Sequence, residues 1–242
     1  MQKQFQRAVS LLENAGKIIA LTGAGVSTES GIPDFRSKDG LWSRFDPIEY
    51  CTLGAFRRDP VKVWTMLSEL LYIIDAKPND GHKAMARMER AGRLHGIVTQ
   101  NIDGLHQKAG SCSVVEFHGS MATFSCMTCR SSFLIDEILA MKLPPSCGCG
   151  EVLKPDVVFF DEALSPEVLR RTEHLVSTAD LLIVAGTSCQ VAPASSIPFQ
   201  VKQRGGVVIE INLVPVLGGI ADISLTGKFA GTMTTLVAAL DI

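Results

Sequence analysis

Residues 21–36 read LTGAGVSTESGIPDFR. The run that leads into them, Lys17-Ile18-Ile19-Ala20-Leu21, has the composition of a buried strand. It passes directly into Gly23-Ala24-Gly25, and a glycine-rich turn after a strand is how α/β proteins present backbone N–H groups to a pyrophosphate. The continuation departs from a dinucleotide fingerprint. Position 28, where a third glycine is expected, is Thr28, and the helix that should follow meets Gly31 and Pro33. Proline removes a donor and clashes with the preceding turn, so it stops a helix. A phosphate-binding turn therefore leads into a loop carrying Asp34, Phe35 and Arg36. That loop predicts a nucleotide that is covered and worked on.

The rest of the chain bounds this reading. Its 242 residues suffice for one substantial core, or one core with a smaller module, and 46% hydrophobic residues predict a folded globular protein. A formal charge of -2 gives no electrostatic footprint for nucleic acid. The first residues, MQKQFQRAVSLLENAG, are too polar for a signal-peptide core, and no apolar run approaches the roughly 18 residues needed to span a bilayer. The expectation is a cytoplasmic protein with reduced thiols, in which seven cysteines point to metal or catalysis before disulfides.

Periodicity predicts a helix over residues 3–15, an inserted helical module over 38–79 with its main helix around 61–74, and a helix over 81–89. Strands are expected at 17–21, 96–99, 113–117, 180–185 and 206–211, with helices at 166–176 and 232–240. A second insertion, 123–149, holds four cysteines. Residues 157–160, Val157-Val158-Phe159-Phe160, form a further apolar segment. Strands alternating with helices predict an α/β fold with a mostly parallel sheet covered on both faces.

Polar residues follow these strands one after another. The glycine turn follows the first, Gln100-Asn101-Ile102-Asp103 the second, His118-Gly119 the third, Gly186-Thr187-Ser188 the fourth and Asn212 the fifth. The carboxyl ends of parallel strands form the crevice that binds ligands, so five segments converge on one site. Gly-x-Gly also occurs in ordinary tight turns. A hydride-transfer dehydrogenase needs an acid about 20 residues on, at the end of a second strand. Asp46 has that separation but no strand before it, which counts against a dehydrogenase. His118 is either a structural hydrogen bonder or a base that accepts a proton near neutral pH. His106 is expected to support its own loop, and His82, His95 and His174 to be surface or structural.

Cys126-x-x-Cys129 and Cys147-x-Cys149 are separated by 17 residues. Two close pairs suit four thiolates around a tetrahedral Zn²⁺, with a redox dithiol as the rival reading. Four thiolates fill the coordination sphere, so the zinc would be structural. Cys51, Cys112 and Cys189 stand alone as small apolar residues.

Taken together, these motifs resemble the sirtuin (Sir2) family of NAD-dependent protein deacylases, of bacterial and archaeal type. The resemblance spans about residues 17–240. It rests on Gly23 to Ser27, Gly31 to Arg36, Thr99 to Asp103, His118-Gly119, the four cysteines, Lys154 to Phe160, Gly186 to Ser188 and Ile211-Asn212. It implies a Rossmann-type NAD-binding domain from residues 1–37, 80–122 and 150–242. The helical insertion 38–79 and the zinc module 123–149 would form a smaller domain.

It also implies roles. Gly23, Ala24, Gly25, Thr28, Asp34, Phe35 and Arg36 would line the NAD pocket, with Phe35 shielding the reacting ribose carbon. Gln100, Asn101, Ile102 and Asp103 would form the nicotinamide pocket, with Asn101 and Asp103 catalytic. His118 would be the general base on the ribose hydroxyls. Gly186, Thr187, Ser188, Asn212, Leu213 and Ala230 would hold the ribose and adenine side. Val157, Val158, Phe159 and Phe160 would pair with the substrate peptide.

In the family chemistry the acyl oxygen attacks the nicotinamide ribose carbon as nicotinamide leaves. The acyl group ends on ADP-ribose and the lysine is freed. Two departures from the family pattern are the C-x-C pair and Phe160-Asp161-Glu162 in place of Phe-Gly-Glu. The desuccinylating branch carries a Tyr and an Arg three apart, and the best match here falls on Leu67 and Leu70. This predicts acetyl or other uncharged acyl groups on protein lysines, with NAD consumed and one structural zinc. The alternatives are a protein ADP-ribosyltransferase on the same scaffold and a non-catalytic NAD sensor or zinc scaffold.

Overall fold

Strand β1 (Ile18–Thr22) is buried at every position, which an alternating polar-apolar strand cannot be, and it lies at the centre of a six-stranded sheet. The computed structural model describes residues 2–242. Helix α1 (Gln2–Asn14) precedes β1, and no regular α-helix follows it. Two short 3₁₀ turns, Ala24–Val26 and Thr28–Ser30, take that place before Gly31 and Pro33 end them. Helices α2 (Pro47–Tyr50), α3 (Leu53–Arg58) and α4 (Pro60–Leu70) build the helical insertion, and α4 continues as a 3₁₀ turn over Leu71–Asp75. Asp46, Thr52 and Asp59 cap the three helices through their side-chain oxygens.

Helix α5 (Asp80–Arg90), strand β2 (Leu94–Thr99), helix α6 (Leu105–Lys108) and strand β3 (Val114–Glu116) return the chain to the sheet. Strands β4 (Gly119–Ser125) and β5 (Ser132–Leu134), helix α7 (Ile135–Leu139) and strand β6 (Lys154–Val157) form a separate antiparallel sheet of order β5-β4-β6. That sheet draws strands from both sides of segment 123–149. Helix α8 (Pro166–Ser177), strand β7 (Leu181–Ala185), helix α9 (Ile197–Gln203), strand β8 (Val207–Asn212), strand β9 (Ile223–Thr226) and helix α10 (Phe229–Ala239) complete the chain.

The large sheet has the order β3-β2-β1-β7-β8-β9, parallel throughout. Counted along the chain this is 3-2-1-4-5-6, the doubly wound order whose direction reverses between β1 and β7. Alternate residues of β1 serve opposite faces. Ile18 and Ala20 pack with Leu12 of α1, Met85 and Met88 of α5, and Met233 and Leu236 of α10. Ile19 and Leu21 pack with Leu175 and Val176 of α8 and Ile197 and Val201 of α9. A third core joins Trp64, Met66, Leu67 and Leu70 of α4 to Phe124 of β4 and to Cys126, Cys147 and Leu153 of the segments beside the small sheet. Trp64 Nε1 donates to the Leu153 carbonyl at 2.9 Å, and its ring stacks on Phe124. Among the described residues no helix is long and apolar enough to cross a membrane.

Candidate active site

The exits of β1 and β7 are stitched together where the sheet order reverses. Gly23 N donates to the Ala185 carbonyl at 3.1 Å and Gly25 N to the Gly186 carbonyl at 2.8 Å. A Cβ at position 23 would lie 2.7 Å from the Thr187 side chain, and one at position 25 would lie 2.8 Å from the Gly186 backbone. Real Cβ atoms do not approach so closely, so the turn accepts only glycine here. This packing opens a cavity of about 680 Å³ at the carboxyl edge of the strands.

The residues expected at an NAD site lie around that cavity with two exceptions. Gly23, Ala24, Gly25 and Thr28 line it from the first turn, and Asp34, Phe35 and Arg36 from the loop beyond. Gln100, Asn101 and Ile102 arrive from β2, and His118 from the exit of β3. Gly186, Thr187 and Ser188 arrive from β7, and Asn212 and Leu213 from β8. Asp103 and Ala230 do not line the cavity. Asp103 Oδ2 accepts the Ser27 hydroxyl at 2.7 Å, and its Oδ1 accepts the Leu105 amide. Ser27 Oγ in turn accepts from Asn101 Nδ2 at 3.1 Å. Asp103 is thus placed to act through Ser27 on Asn101. Ala230 offers its amide to Glu29, and it is Glu29 that faces the cavity.

Asp34 both lines the cavity and shapes its own loop. Its Oδ1 accepts the amides of Arg36 and Ser37. Leu41 N and Trp42 N close the loop onto the Asp34 and Phe35 carbonyls, and Trp42 stacks on Phe35 with ring centroids 5.2 Å apart. Asp46 caps α2 by accepting the Ile48 amide and is not among the cavity residues. The candidate for a dehydrogenase ribose acid is therefore a helix cap.

His118 Nδ1 lies 3.2 Å from the Gln100 carbonyl oxygen. A carbonyl only accepts, so Nδ1 carries the proton and Nε2 keeps its lone pair. Burial pushes the imidazole below its ordinary pKa, and the bond to Gln100 pulls it partly back. The ring is neutral and able to accept a proton at neutral pH.

Behind Asn101 runs a buried chain. Its backbone amide donates to Thr99 Oγ1, which also accepts the Thr22 hydroxyl. The Thr22 oxygen meets His106 Nε2 at 3.0 Å. His106 therefore braces the sheet centre as well as its own loop. His82, fully buried, stands against it with ring centroids 4.9 Å apart.

The far end of the cavity is apolar. Leu67 and Leu70 of α4 line it, together with Val157, Val158, Phe159 and Phe160. Only Val157 of that segment belongs to a strand, β6. Val158 N donates to the His118 carbonyl, and Phe160 N to the Cys51 carbonyl, each at 2.9 Å. The segment thus continues β6 as an extended loop. Lys154 sets its bend: the buried ammonium donates to the Val157 carbonyl at 2.7 Å, pairs with Glu162 at 2.9 Å and lies over the Phe159 ring. Sequence reading missed Trp42, Met66, Met121 and Glu162 at this cavity. Met66 carried a signal, since it stands four positions before Leu70 and so shares its helix face; Met121 and Glu162 carried none without the fold.

The four cysteines Cys126, Cys129, Cys147 and Cys149 place their Sγ atoms within 4.8 Å of one another. The Cys126–Cys149 and Cys129–Cys147 separations are 3.5 and 3.4 Å. A tetrahedral zinc with Zn–S near 2.3 Å sets its sulfurs about 3.8 Å apart, so the cluster fits a structural zinc with no open position.

A model of the Sir2 family matches residues 23–193. An NAD-dependent protein deacylase of Archaeoglobus fulgidus is 46% identical over 237 residues, covering 96% of each chain. A solved Sir2 homolog–NAD complex superposes with a TM-score of 0.91 at 46% identity, over 98% of this chain and 93% of that one. A Sir2 complex with a deacetylated p53 peptide and 3′-O-acetyl ADP ribose gives 0.92 at 31% identity, over 97% of each chain.

Proposed function

The chain belongs to the Sir2 family, and from that membership we propose that the cavity takes NAD at its glycine-turn end and an acyl-lysine side chain at its apolar end. The protein is an NAD-dependent protein deacylase that consumes NAD and carries one structural zinc. The single observation that carries the site assignment is that one cavity joins the β1 turn, Asn101, His118 and the apolar residues of α4.

NAD, when bound, supplies a ribose carbon that loses nicotinamide and receives the acyl oxygen. His118 is oriented by Gln100 so that Nε2 draws a proton from a ribose hydroxyl. Asn101, held by Gly23 and Ser27, faces the nicotinamide end with its amide group fixed. Asp103 holds Ser27 and so serves Asn101 as a positioning residue. Phe35, backed by Trp42, covers the reacting carbon and excludes water. Thr187 and Asn212 meet at the adenosine side, where Asn212 Nδ2 donates to the Thr187 carbonyl at 3.2 Å. Alignment of the acyl oxygen by the apolar end is a proximity effect.

The substrate is the acyl-lysine segment of a protein, lying along residues 158–160 as an added strand. Uncharged acyl groups are favoured. Leu67 and Leu70 are 2% and 7% exposed, and neither α4 nor residues 157–160 bring a cation to the cavity. A buried carboxylate without a partner costs several kcal/mol. The large parallel sheet is the NAD-binding domain, and the helical insertion with the small sheet is the second domain. Reduced cysteine ligands suit a cytoplasmic setting.

ADP-ribose transfer to protein is the competing reading, and the deacylase names of the relatives disfavour it. Incubation with NAD labelled in its adenosine part separates the two. Deacylation leaves the label in a small soluble product; label retained on protein without any acyl-peptide requirement would overturn the proposal.

A further inference from the structure

Asp161 follows the peptide-facing segment directly, yet it does not line the cavity. Its Oδ1 accepts the Leu53 amide and its Oδ2 accepts the Gly54 amide at 2.9 Å. These are the first two residues of α3. The third, Ala55, gives its amide to Thr52 Oγ1 at 3.0 Å. A helix start leaves its first amides without partners, and here two are satisfied by one carboxylate 107 and 108 positions away. Gly54 eases the approach, since a Cβ there would sit 3.1 Å from Asp161 Oδ2, tighter than most side-chain contacts. The hydrogen bond from the Gly54 amide, helped by that from Leu53, holds the exposed carboxyl below its usual pKa against a smaller desolvation cost.

The neighbouring residue is fastened to the same place. Phe160 N donates to the Cys51 carbonyl. Residues 160–161 are therefore stapled to residues 51–54 by three bonds. On one side of the staple, Phe56 of α3 meets Phe159 with centroids 6.0 Å apart. On the other, Phe160 lies 6.1 Å from Trp42, which stacks on Phe35. A row of aromatic rings thus runs from the peptide segment to the loop over the nucleotide.

We propose that Asp161 is a latch, a positioning residue that holds the peptide-facing segment against the helical insertion and sets the peptide groove before substrate arrives. The latch follows from the hydrogen bonds alone; the identity of its occupant, an acyl-lysine peptide, rests on the deacylase reading. Because the carboxylate is exposed to solvent, its effect is that of a helix cap, modest and specific.

The test compares the parent with Asp161→Ala, which removes both acceptors, and Asp161→Asn, which keeps one oxygen acceptor. A fluorescein-labelled acetyl-lysine peptide gives Kd by anisotropy, and steady-state turnover gives kcat and KM for the peptide and for an acetyl-lysine monomer too short to reach residues 158–160. Asp161→Ala should raise peptide Kd and KM about fivefold, the effect of losing one good cap. The kcat and the monomer KM should hold within about twofold. Asp161→Asn should fall between parent and Ala. Unchanged peptide Kd in Asp161→Ala overturns the latch. So does an equal rise in peptide and monomer KM together with a lowered Tm, which marks general structural support. A parent that binds peptide but releases no nicotinamide sinks the deacylase reading instead, and the Kd comparison then decides the latch.

Discussion

His118 Nδ1 stands 3.2 Å from the carbonyl oxygen of Gln100, the residue that follows β2, so one strand exit fixes the tautomer of the imidazole delivered by another, the proposed base. This relation makes Nε2 the proton acceptor. His118→Ala should lower kcat by about 10²- to 10⁴-fold, the usual worth of a positioned base, with Tm nearly unchanged. The acid limb of the parent's kcat/KM should be centred below pH 6.5, because burial has moved the ring's pKa down. Steady-state rates across pH check both, and an acid limb centred above 6.5 would contradict the assignment.

The chain Asp103–Ser27–Asn101 predicts an effect at a distance. Asp103→Ala leaves Ser27 Oγ without its acceptor and frees the Asn101 amide to turn. Hydrogen bonds to charged groups are worth about 1.5–3 kcal/mol, so kcat should fall about 10- to 100-fold. Peptide KM should move little, since Asp103 does not line the cavity that residues 157–160 line. Kinetics on acetyl-lysine peptide read the split.

Leu67 and Leu70 line the apolar end of the cavity, and the proposed acyl-lysine site makes them the determinants of acyl selectivity. Succinyl-lysine peptide should have a kcat/KM about 100-fold or more below acetyl-lysine peptide, reflecting a buried carboxylate without a cation. Leu70→Arg should narrow that gap. Equal rates for the two peptides on the parent would remove the argument from α4.

Zinc should be present at one ion per chain by elemental analysis. Cys126 and Cys147 are buried in the same core as Leu67, Leu70 and Phe159, so the metal site supports the apolar end of the cavity. Chelation or Cys147→Ser should lower Tm and peptide affinity together. Full stability in metal-free protein would show that the thiols hold no structural metal.

Two buried histidines predict the pH dependence of stability. Burial holds His82 down to about 4, and His106 lies well below its ordinary value through burial and the neighbouring His82. Below pH 6.5 the unfolded chain protonates these rings while the folded chain does not, so the unfolded state binds more protons and stability rises with pH. Above 6.5 they add no slope. For His82 alone the loss between pH 6.5 and 4 amounts to about 3 kcal/mol. Thermal unfolding should therefore be flat above 6.5 and steepen below it, and His82→Phe should flatten the acid side.

Five of the six strands of the large sheet were legible because each is a short apolar run ending in a polar residue, whereas their order is set by pairings between distant segments and could not be read locally. The expected strand 17–21 lies one residue further on, at Ile18–Thr22, since Lys17 spends its amide on the Asp180 side chain. Strand β9 escaped because four residues, ISLT, carry too little pattern to stand out between Gly219 and Gly227. The small sheet escaped because β4 and β6 meet across about 30 residues and neither alternates cleanly. At the site, the residues on strand exits were readable one by one. Asp103 looked like a pocket residue and stands behind it, because a carboxylate next to Ser27 and the start of α6 finds partners there first. Asp161 could be seen as unusual, but its bond to α3 is a contact between segments that no local pattern records.

In the proposed reaction one cavity couples nicotinamide release to an acyl-lysine. The direct measurement is nicotinamide released from NAD against a panel of acyl-lysine peptides, with matched unmodified peptides and with no peptide, alongside the acyl-ADP-ribose formed. Release is expected only with uncharged acyl-lysine peptides, one acyl-ADP-ribose for each nicotinamide. Release at the same rate without peptide, or nicotinamide without acyl-ADP-ribose, would contradict it.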